Sequence, residues 1–289
     1  MDMTQALAKA RLSLEGLSVG DAFGELFFSL SPYTTSPSQL PNRLWHWTDD
    51  THMALSIVEI LKAYDTIEQD ALAKAFARRY QEEPFRGYAG GAARLLRQIA
   101  AGADWRILSP TLFGSGSYGN GAAMRAAPIG GFFYNDPKRA AQEAQRSAVI
   151  THAHPEGQAG AIAVAVVASL VATTPYPSGP DLLEEAMGLV PDSLVRQGIK
   201  QALEIPPFDL KGAISKLGTG NEVSAQDTVP FCLWSAAYHP DNFEEALWHT
   251  AKGMGDRDTT CAIVGGIVAL SSPSIPEYWL KQREPLPDL

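Results

Sequence analysis

The sequence predicts an all-α fold. Apolar residues recur with the 3.6-residue period of a helix almost everywhere along the 289 residues. No segment alternates apolar and polar residues in the manner of a strand, and no two apolar runs are joined by an Asn-Gly or Asp-Gly hairpin turn. Proline and glycine cluster in short stretches between the apolar runs, without one long linker, which indicates a single domain over residues 1–289.

The first predicted helix covers residues 4–22 and carries Leu7, Leu14 and Leu17 on one stripe. The second covers residues 50–63 and repeats this pattern. The same period predicts further helices over residues 67–81, 90–101, 137–151, 154–172, 181–189, 192–203, 209–217, 227–237, 242–253 and 258–270. Loops are expected over residues 31–43, 173–180 and 205–207, and the proline-rich tail from Pro273 is expected to end as loop and short helix.

Composition limits the classes of function. With 45% hydrophobic residues the chain can bury a large core, and a net charge of -9 counts against a surface built for nucleic-acid backbones or anionic membranes. No targeting signal is evident, and the best apolar run, residues 159–172, is too short to span a bilayer. Cys232 and Cys261 fit packed thiols in a reducing cytoplasm. We therefore expect a soluble, cytoplasmic monomer with no nucleic-acid or membrane partner.

Two clusters of aspartate and threonine each stand directly before an apolar helical stretch. They are Trp47-Thr48-Asp49-Asp50-Thr51 and Gly255-Asp256-Arg257-Asp258-Thr259-Thr260. Their carboxylates and hydroxyls offer only oxygen donors, which suit Mg²⁺ or Mn²⁺ and disfavour Zn²⁺. Either cluster alone is typical of a capped helix start, but two such clusters in one chain indicate a shared site for a hard metal ion.

A glycine-rich segment covers residues 113–125, with glycines at positions 114, 116, 119 and 121. These glycines are expected to take positive φ and to bring backbone N–H groups close to a ligand. The segment runs into residues 122–127, which look helical and whose N-terminus would favour an anion. A phosphate cradle and a flexible surface turn both fit this pattern. His152, at a helix junction, is either a packed capping histidine or a ligand-binding one.

In their order and spacing, these motifs resemble the ADP-ribosylglycohydrolase family, the group typified by dinitrogenase reductase-activating glycohydrolase. The resemblance covers nearly the whole chain. It rests on Gly20-Asp21-Ala22-Phe23-Gly24, on the two aspartate-threonine clusters, on residues 116–128 and on Thr151-His152. It implies an orthogonal multi-helix bundle that holds two Mg²⁺ or Mn²⁺ ions in a cleft. It also implies hydrolysis of the bond between ADP-ribose and an acceptor, in an ADP-ribosylated protein or an ADP-ribose-containing small molecule.

The resemblance also assigns roles to residues. The implied metal ligands are Thr48, Asp49, Asp50, Asp256, Asp258 and Thr259. Asp50 and Asp258 are the two candidates for the catalytic carboxylate that accepts a proton from water. The implied diphosphate contacts are Ser117, Gly119, Asn120 and Gly121, with Tyr118 as a wall of the pocket and His152 contacting phosphate or ribose.

One position departs from the family's pattern. Many members carry a glutamate where this chain has Phe28, and Glu25 lies three residues earlier. Either Glu25 replaces that acid from an irregular loop, or the protein works without it. The acceptor linkage is also open: arginine is favoured over serine and threonine, and loops over residues 31–45 and 83–88 are expected to select it.

Two other functions fit parts of the sequence. The first is a catalytically inactive ADP-ribose-binding or structural relative of the family, although four retained aspartates would repel one another without cations. The second is an all-α metal-dependent phosphohydrolase, although such enzymes generally use His-Asp pairs that this chain lacks. Release of intact ADP-ribose would separate glycohydrolysis from phosphohydrolysis.

Overall fold

The structure is a computed structural model that describes residues 2–173 and 178–288. Within these ranges the chain is helical and has no β-strand, only two isolated β-bridges, so the predicted all-α class is confirmed. The helices are α1 (Met3–Leu26), α2 (Asp49–Tyr64), α3 (Gln69–Glu82), α4 (Gly90–Ala100), α5 (Trp105–Thr111), α6 (Ala127–Phe132), α7 (Pro137–Ala148), α8 (Pro155–Val171), α9 (Gly179–Met187), α10 (Leu194–Ala202), α11 (Leu210–Leu217), α12 (Ala225–Tyr238), α13 (Phe243–Ala251), α14 (Arg257–Val268) and α15 (Glu277–Gln282).

Most predicted helices agree with these bounds, but the helix expected over residues 122–127 is wrong. Asn120–Ala122 forms a single 3-10 turn, residues 123–125 continue as a turn, and α6 begins only at Ala127. Pro128 lies in the first turn of α6, where its missing N–H costs nothing, and so marks a helix start. The short α5 and α6 were not predicted. Part of the expected loop over residues 173–180 lies outside the described residues.

A row of glycines brings α1 and α14 into backbone contact. Gly16, Gly20 and Gly24 recur every four residues on one face of α1, and a Cβ on any of them would overlap a carbonyl oxygen of α14. The two helices run antiparallel, because Gly16 faces Gly265 while Gly24 faces Arg257. As a result, the second half of α1 lies against the start of α14. This contact determines where the acidic side chains of both helices meet.

Aromatic side chains join the two ends of the chain. The Phe23 ring stacks on Trp279 of α15 with a centroid separation of 4.4 Å, and it also contacts Trp45, Trp248 and Phe27. Trp45 and Trp279 are almost fully buried. The C-terminal segment is therefore part of the core, beside the loop that leads into α2.

The C-terminal segment also supports the loop between α3 and α4. The Trp45 N–H donates to the Gln282 carbonyl at 2.7 Å, and the Glu284 N–H donates to the Trp45 carbonyl at 2.8 Å. The Glu284 carboxylate then accepts two hydrogen bonds from the Arg86 guanidinium, which lies 3.7 Å from the centroid of the Trp47 ring. This network holds residues 83–87 close to the first aspartate-threonine cluster. Among the described helices, none has both the length and the apolarity needed to cross a membrane.

Candidate functional site

The two aspartate-threonine clusters meet at one end of a cleft. Its volume is about 450 Å³, and the glycine-rich segment lines its other side. From the first cluster Asp49 and Asp50 line this cleft, and from the second Asp256, Asp258 and Thr259 do so. The other predicted site residues that line it are Ser117, Tyr118, Gly119, Asn120, Gly121 and His152. The structure thus brings together residues from α2, α14 and the segment between α5 and α6.

Asp21 organises the first cluster, a role that the sequence did not predict. This α1 side chain is fully buried, and both of its oxygens accept hydrogen bonds. The Thr48 N–H donates at 3.0 and 2.9 Å and its hydroxyl at 2.9 Å, while Thr51 donates from its N–H at 3.1 Å and its hydroxyl at 2.5 Å. Burial raises the pKa of Asp21 to about 6, although these hydrogen bonds oppose the shift. Asp21 therefore fixes the start of α2.

Asp49 and Asp50 occupy the first turn of α2, directly after Thr48 at its N-cap. The Asp50 side chain is buried, and its Oδ1 atom has no hydrogen-bond partner. Burial raises the pKa of Asp50 well above its usual value, and the charges of Asp21 and Asp258 raise it further. Burial and the charge of Asp21 likewise raise the pKa of Asp49 to about 7. This end of the cleft therefore disfavours uncompensated negative charge.

The second cluster begins at Asp256, the N-cap residue of α14, whose side chain does not cap the helix. Its Oδ2 atom accepts a hydrogen bond of 2.7 Å from the Asn120 amide. Asp258 follows in the first turn, and its Oδ1 atom is buried without a partner. Burial raises the pKa of Asp258 well above its usual value, and neighbouring Asp256 adds to the shift. Thr259 is buried beside it.

The donor set fits a hard cation. Two buried carboxylate oxygens, Asp50 Oδ1 and Asp258 Oδ1, lack any partner and lie in the same acidic cluster. Such an arrangement is costly unless cations neutralise it, and oxygen donors suit Mg²⁺ or Mn²⁺. Across residues 2–173 and 178–288, however, no group of three or more His, Cys, Asp or Glu side chains is arranged to hold a metal ion. The six predicted ligands therefore remain a prediction.

Two expectations for the glycine-rich segment are wrong. Positive φ occurs at Gly114 and Gly116, but Gly119 has a φ of -61° and Gly121 does not take positive φ. Both glycines instead lie against the His152 ring, and the space for a side chain is tighter at Gly121 than at Gly119. A Cβ would come within 3.3 Å of His152 Nε2 from Gly119 and within 3.0 Å of it from Gly121. Close packing against a histidine cannot be read from the spacing of glycines.

Asn120 also makes hydrogen bonds within the protein, in addition to the predicted diphosphate contact, and it lines the cleft. Its amide nitrogen donates to Asp256 Oδ2 and, at 3.1 Å, to the Thr228 hydroxyl. Asn120 therefore ties the glycine-rich segment to the second cluster. Ser117 accepts a hydrogen bond of 3.2 Å from the Gly119 N–H, and the half-exposed Tyr118 ring meets the His154 ring edge-on.

Two apolar residues that the sequence did not single out line the cleft. Phe113 and Val223 are both exposed and both have positive φ, 56° and 52° respectively. Positive φ is unusual for any residue with a Cβ and strained for a β-branched one. The Val223 carbonyl accepts a hydrogen bond of 3.2 Å from the Asn120 N–H, which connects this strained position to the glycine-rich segment. Both side chains give this side of the cleft an apolar surface.

A second cavity, of about 750 Å³, lies beside the carboxylates and shares Gly87 and Asp258 with the cleft. Glu25 lines it from the last turn of α1, so the irregular loop considered for this residue is not present. Phe28 points elsewhere and packs under the Arg257 guanidinium at 4.4 Å. Among the other residues that line this cavity are Glu82, Glu83, Phe85 and Arg86.

Comparisons with known proteins agree with the motifs. The sequence model of the ADP-ribosylglycohydrolase family matches residues 2–289. An uncharacterized protein of Archaeoglobus fulgidus is 31% identical over 97% of this chain and 94% of its own length. ADP-ribosylhydrolase ARH3 of Homo sapiens is 25% identical over 97% and 90%, and ADP-ribosylarginine hydrolase Tri1 of Serratia proteamaculans is 23% identical over 96% and 75%. A solved ADP-ribosylglycohydrolase-related protein complex superposes with a TM-score of 0.71 at 26% identity, over 97% of this chain and 94% of that chain.

Proposed function

The chain belongs to the ADP-ribosylglycohydrolase family, and from this premise we propose that it hydrolyses the bond between ADP-ribose and an acceptor side chain of a modified protein. Arginine is the favoured acceptor, and serine and threonine are the alternatives. One observation carries the proposal. Two aspartate-threonine clusters from distant parts of the chain meet at the end of a cleft whose other wall is the glycine-rich segment.

We propose that two Mg²⁺ ions, with Mn²⁺ as the alternative, are held by Thr48, Asp49, Asp50, Asp256, Asp258 and Thr259. When bound, such ions would lower the pKa of a water molecule and offset the negative charge of the carboxylates around them. Their charge would also compensate the buried Asp50 and Asp258 oxygens that have no partner in the protein. Asp21 supports this arrangement from behind, since its five hydrogen bonds hold Thr48 and Thr51 in place.

The proton that leaves the attacking water needs a carboxylate to receive it. Asp50 and Asp258 each have a buried Oδ1 atom without a partner and a pKa raised by burial and by neighbouring carboxylates. Each therefore has an oxygen that no protein group occupies and that can receive a proton from a water molecule beside it. Both remain candidates for this step.

The rest of ADP-ribose would lie along the cleft, away from the carboxylates. We propose that Ser117, Gly119, Asn120 and Gly121 approach the diphosphate, that Tyr118 forms a wall and that His152 contacts phosphate or ribose. All six line the cleft. Phe113 and Val223 add the exposed apolar surface that a planar base requires.

The acceptor would then occupy the second cavity, because that cavity meets the cleft at Asp258 and Gly87. Glu25 and Glu82 line it, and their carboxylates favour a cationic acceptor such as arginine, whereas Glu83 is paired with Arg86. The relative named as an ADP-ribosylarginine hydrolase supports the same preference.

Mass spectrometry of a peptide panel tests this function. Peptides that carry ADP-ribose on arginine, serine or threonine are incubated with the protein and Mg²⁺, with a chelator control. We expect intact ADP-ribose to be released, fastest from the arginine linkage. AMP or inorganic phosphate would indicate a phosphohydrolase, and binding of ADP-ribose without any release would indicate an inactive relative.

Glu25 gives a second prediction, which separates catalysis from acceptor binding. Glu25→Gln should leave kcat within about threefold of wild type, because the aspartates suffice for the chemistry. It should raise KM for arginine-linked peptides by about fivefold, since one partly exposed charge interaction is lost, and should leave KM for serine-linked peptides unchanged. Steady-state kinetics measure both values, and Glu277→Gln, at an exposed side chain of α15, is the control. A large fall in kcat would show that Glu25 replaces the acid missing at Phe28.

We also propose that residues 1–289 form a single domain and that the protein acts as a cytoplasmic monomer. The buried apolar residues form one cluster that extends from α1 to α15. Cys232 and Cys261 are both buried as free thiols, which is consistent with a reducing compartment.

A further inference from the structure

We propose that Arg125 is a positioning residue that acts through Thr151 to set the tautomer of His152, so that His152 Nε2 carries the hydrogen and donates it into the cleft. The ligand atom that receives this bond is an oxygen of phosphate or ribose, and this part rests on the proposed function. The tautomer itself follows from the protein alone.

Arg125 is a buried cation without a carboxylate partner. Its side chain is fully buried, and among the described residues it forms no ion pair with a carboxylate, although the Asp49 charge favours its protonated form from further away. It donates instead to the Gly121 carbonyl at 2.8 Å, the Ser147 carbonyl at 3.1 Å and the Thr151 hydroxyl at 2.9 Å. Burial lowers the pKa of Arg125 to about 9, so it stays protonated near neutral pH. The guanidinium can therefore only donate hydrogen bonds.

Thr151 passes this constraint to His152. The Thr151 hydroxyl has one hydrogen and already accepts a bond from Arg125, and it lies 2.8 Å from His152 Nδ1. If Nδ1 carried the hydrogen, Thr151 would accept twice, and its own hydrogen would find no acceptor in the described structure. A buried donor without a partner costs about 1–3 kcal/mol. Thr151 therefore donates to Nδ1, which must be the unprotonated nitrogen.

His152 then has one hydrogen left, on Nε2. Burial lowers the pKa of His152 to about 3, with the positive charge of Arg125 adding to the shift, so the ring is neutral near pH 7. Its Nε2 edge lies between Gly119 and Gly121, and the ring lines the cleft. No acceptor for Nε2 is found among the residues that the structure describes. The N–H therefore faces the ligand space and suits an oxygen acceptor.

The same guanidinium thus holds the Gly121 carbonyl of the glycine-rich segment and, through Thr151, orients the donor on His152. A merely structural Arg125 would stabilise the fold but would leave the tautomer of His152 free. The tautomer is therefore the quantity to measure.

Nitrogen-15 NMR of the imidazole reads the tautomer without any ligand. The His152 signals are assigned by their loss in His152→Gln. Wild type should show a pyridine-like Nδ1 and a pyrrole-like Nε2. Thr151→Val, which keeps the shape of the side chain, should give a mixture of tautomers, and Thr151→Ser should restore the wild-type spectrum. Thr250→Val, at another buried threonine with hydrogen bonds of its own, is the control and should change nothing.

Calorimetry with ADP-ribose adds the functional readout. Thr151→Val should weaken binding about tenfold, and Thr151→Ser should stay within about twofold of wild type. An Nδ1–H tautomer in the wild type, or an unchanged spectrum and affinity in Thr151→Val, would overturn the proposal. Wild type with the Nε2–H tautomer but no ADP-ribose binding would support the relay and count against the proposed function. Binding of ADP-ribose by a wild type with the Nδ1–H tautomer would contradict the relay and support the proposed function.

Discussion

Asp258→Asn is expected to lower kcat for ADP-ribose release by about a thousandfold. The amide keeps the shape of the side chain but loses the charge that would bind a cation and the basicity that a general base requires. The Asp258 Oδ1 atom is buried without a hydrogen-bond partner among the described residues, and Asp258 lies at the junction of the cleft and the second cavity. Single-turnover kinetics on an arginine-linked peptide measure the loss.

In metal-free buffer, Asp258→Asn should not lower the thermal stability of the protein and is expected to raise it. Burial and Asp256 raise the pKa of Asp258 well above its usual value, which means that folding disfavours its charged form. Asp258→Asn removes that charge, so the metal-free variant should unfold at the same or a higher temperature than wild type. Addition of Mg²⁺ should then stabilise wild type more than the variant.

Asp65→Asn is the matched control. Asp65 is exposed at the C-terminal end of α2, in a left-handed conformation that asparagine also tolerates. The Asp65→Asn variant should therefore retain wild-type turnover and the same stabilisation by Mg²⁺. Unaltered turnover in Asp258→Asn would contradict its assignment to the site. A variant that loses turnover but keeps the full Mg²⁺ stabilisation would exclude Asp258 as a ligand and leave it only the role of general base.

Gly20→Ala is expected to lower the free energy of unfolding by about 3 kcal/mol, the upper end of what one added methyl group costs in a packed core. A Cβ at this position would overlap the Cys261 carbonyl oxygen and lie 2.7 Å from its carbonyl carbon, and backbone cannot rotate away as a side chain can. The helices α1 and α14 would have to separate. Because Asp21 and Asp258 lie on these two helices, turnover should fall as well.

Chemical denaturation measures this change, and Gly90→Ala provides the control. Gly90 is also in a helix, at the start of α4, and a Cβ there would meet nothing within 4 Å. Alanine favours a helix over glycine, so Gly90→Ala should leave the protein equally or slightly more stable. If the two variants had equal stability, α1 and α14 would not be packed backbone to backbone.

Short-range patterns in the sequence were enough to predict most of the helices. The long helices were predicted within about four residues of their observed ends, because apolar periodicity and capping residues act within a few turns of chain. The failures were short or irregular: α5 contains Pro110, and residues 122–127 carry apolar and small residues without forming one helix. Pro128 was the local signal that could have moved the helix start to Ala127.

For the site, the sequence identified the chemical groups and their order along the chain, and the structure brings both aspartate-threonine clusters and His152 to one cleft. It did not identify how these groups are held. Asp21 was part of a motif, but its hydrogen bonds to Thr48 and Thr51 depend on the packing of α1 against α2. Asn120 was predicted to contact the diphosphate, and the structure adds a hydrogen bond from its amide to Asp256 that the sequence did not predict. The role of Arg125 likewise could not be predicted from the sequence, because it depends on the hydrogen bond to Thr151 that the fold creates.

The sequence by itself determined the all-α class, the family and the inventory of oxygen donors, because each depends on residue identity and short-range periodicity. Only the tertiary structure decided that Gly16, Gly20 and Gly24 face α14, that Gly119 and Gly121 make room for His152, and that Arg125 acts on His152 through Thr151. Each of these depends on the distance between groups that packing brings together, and residue spacing along one chain does not encode such distances.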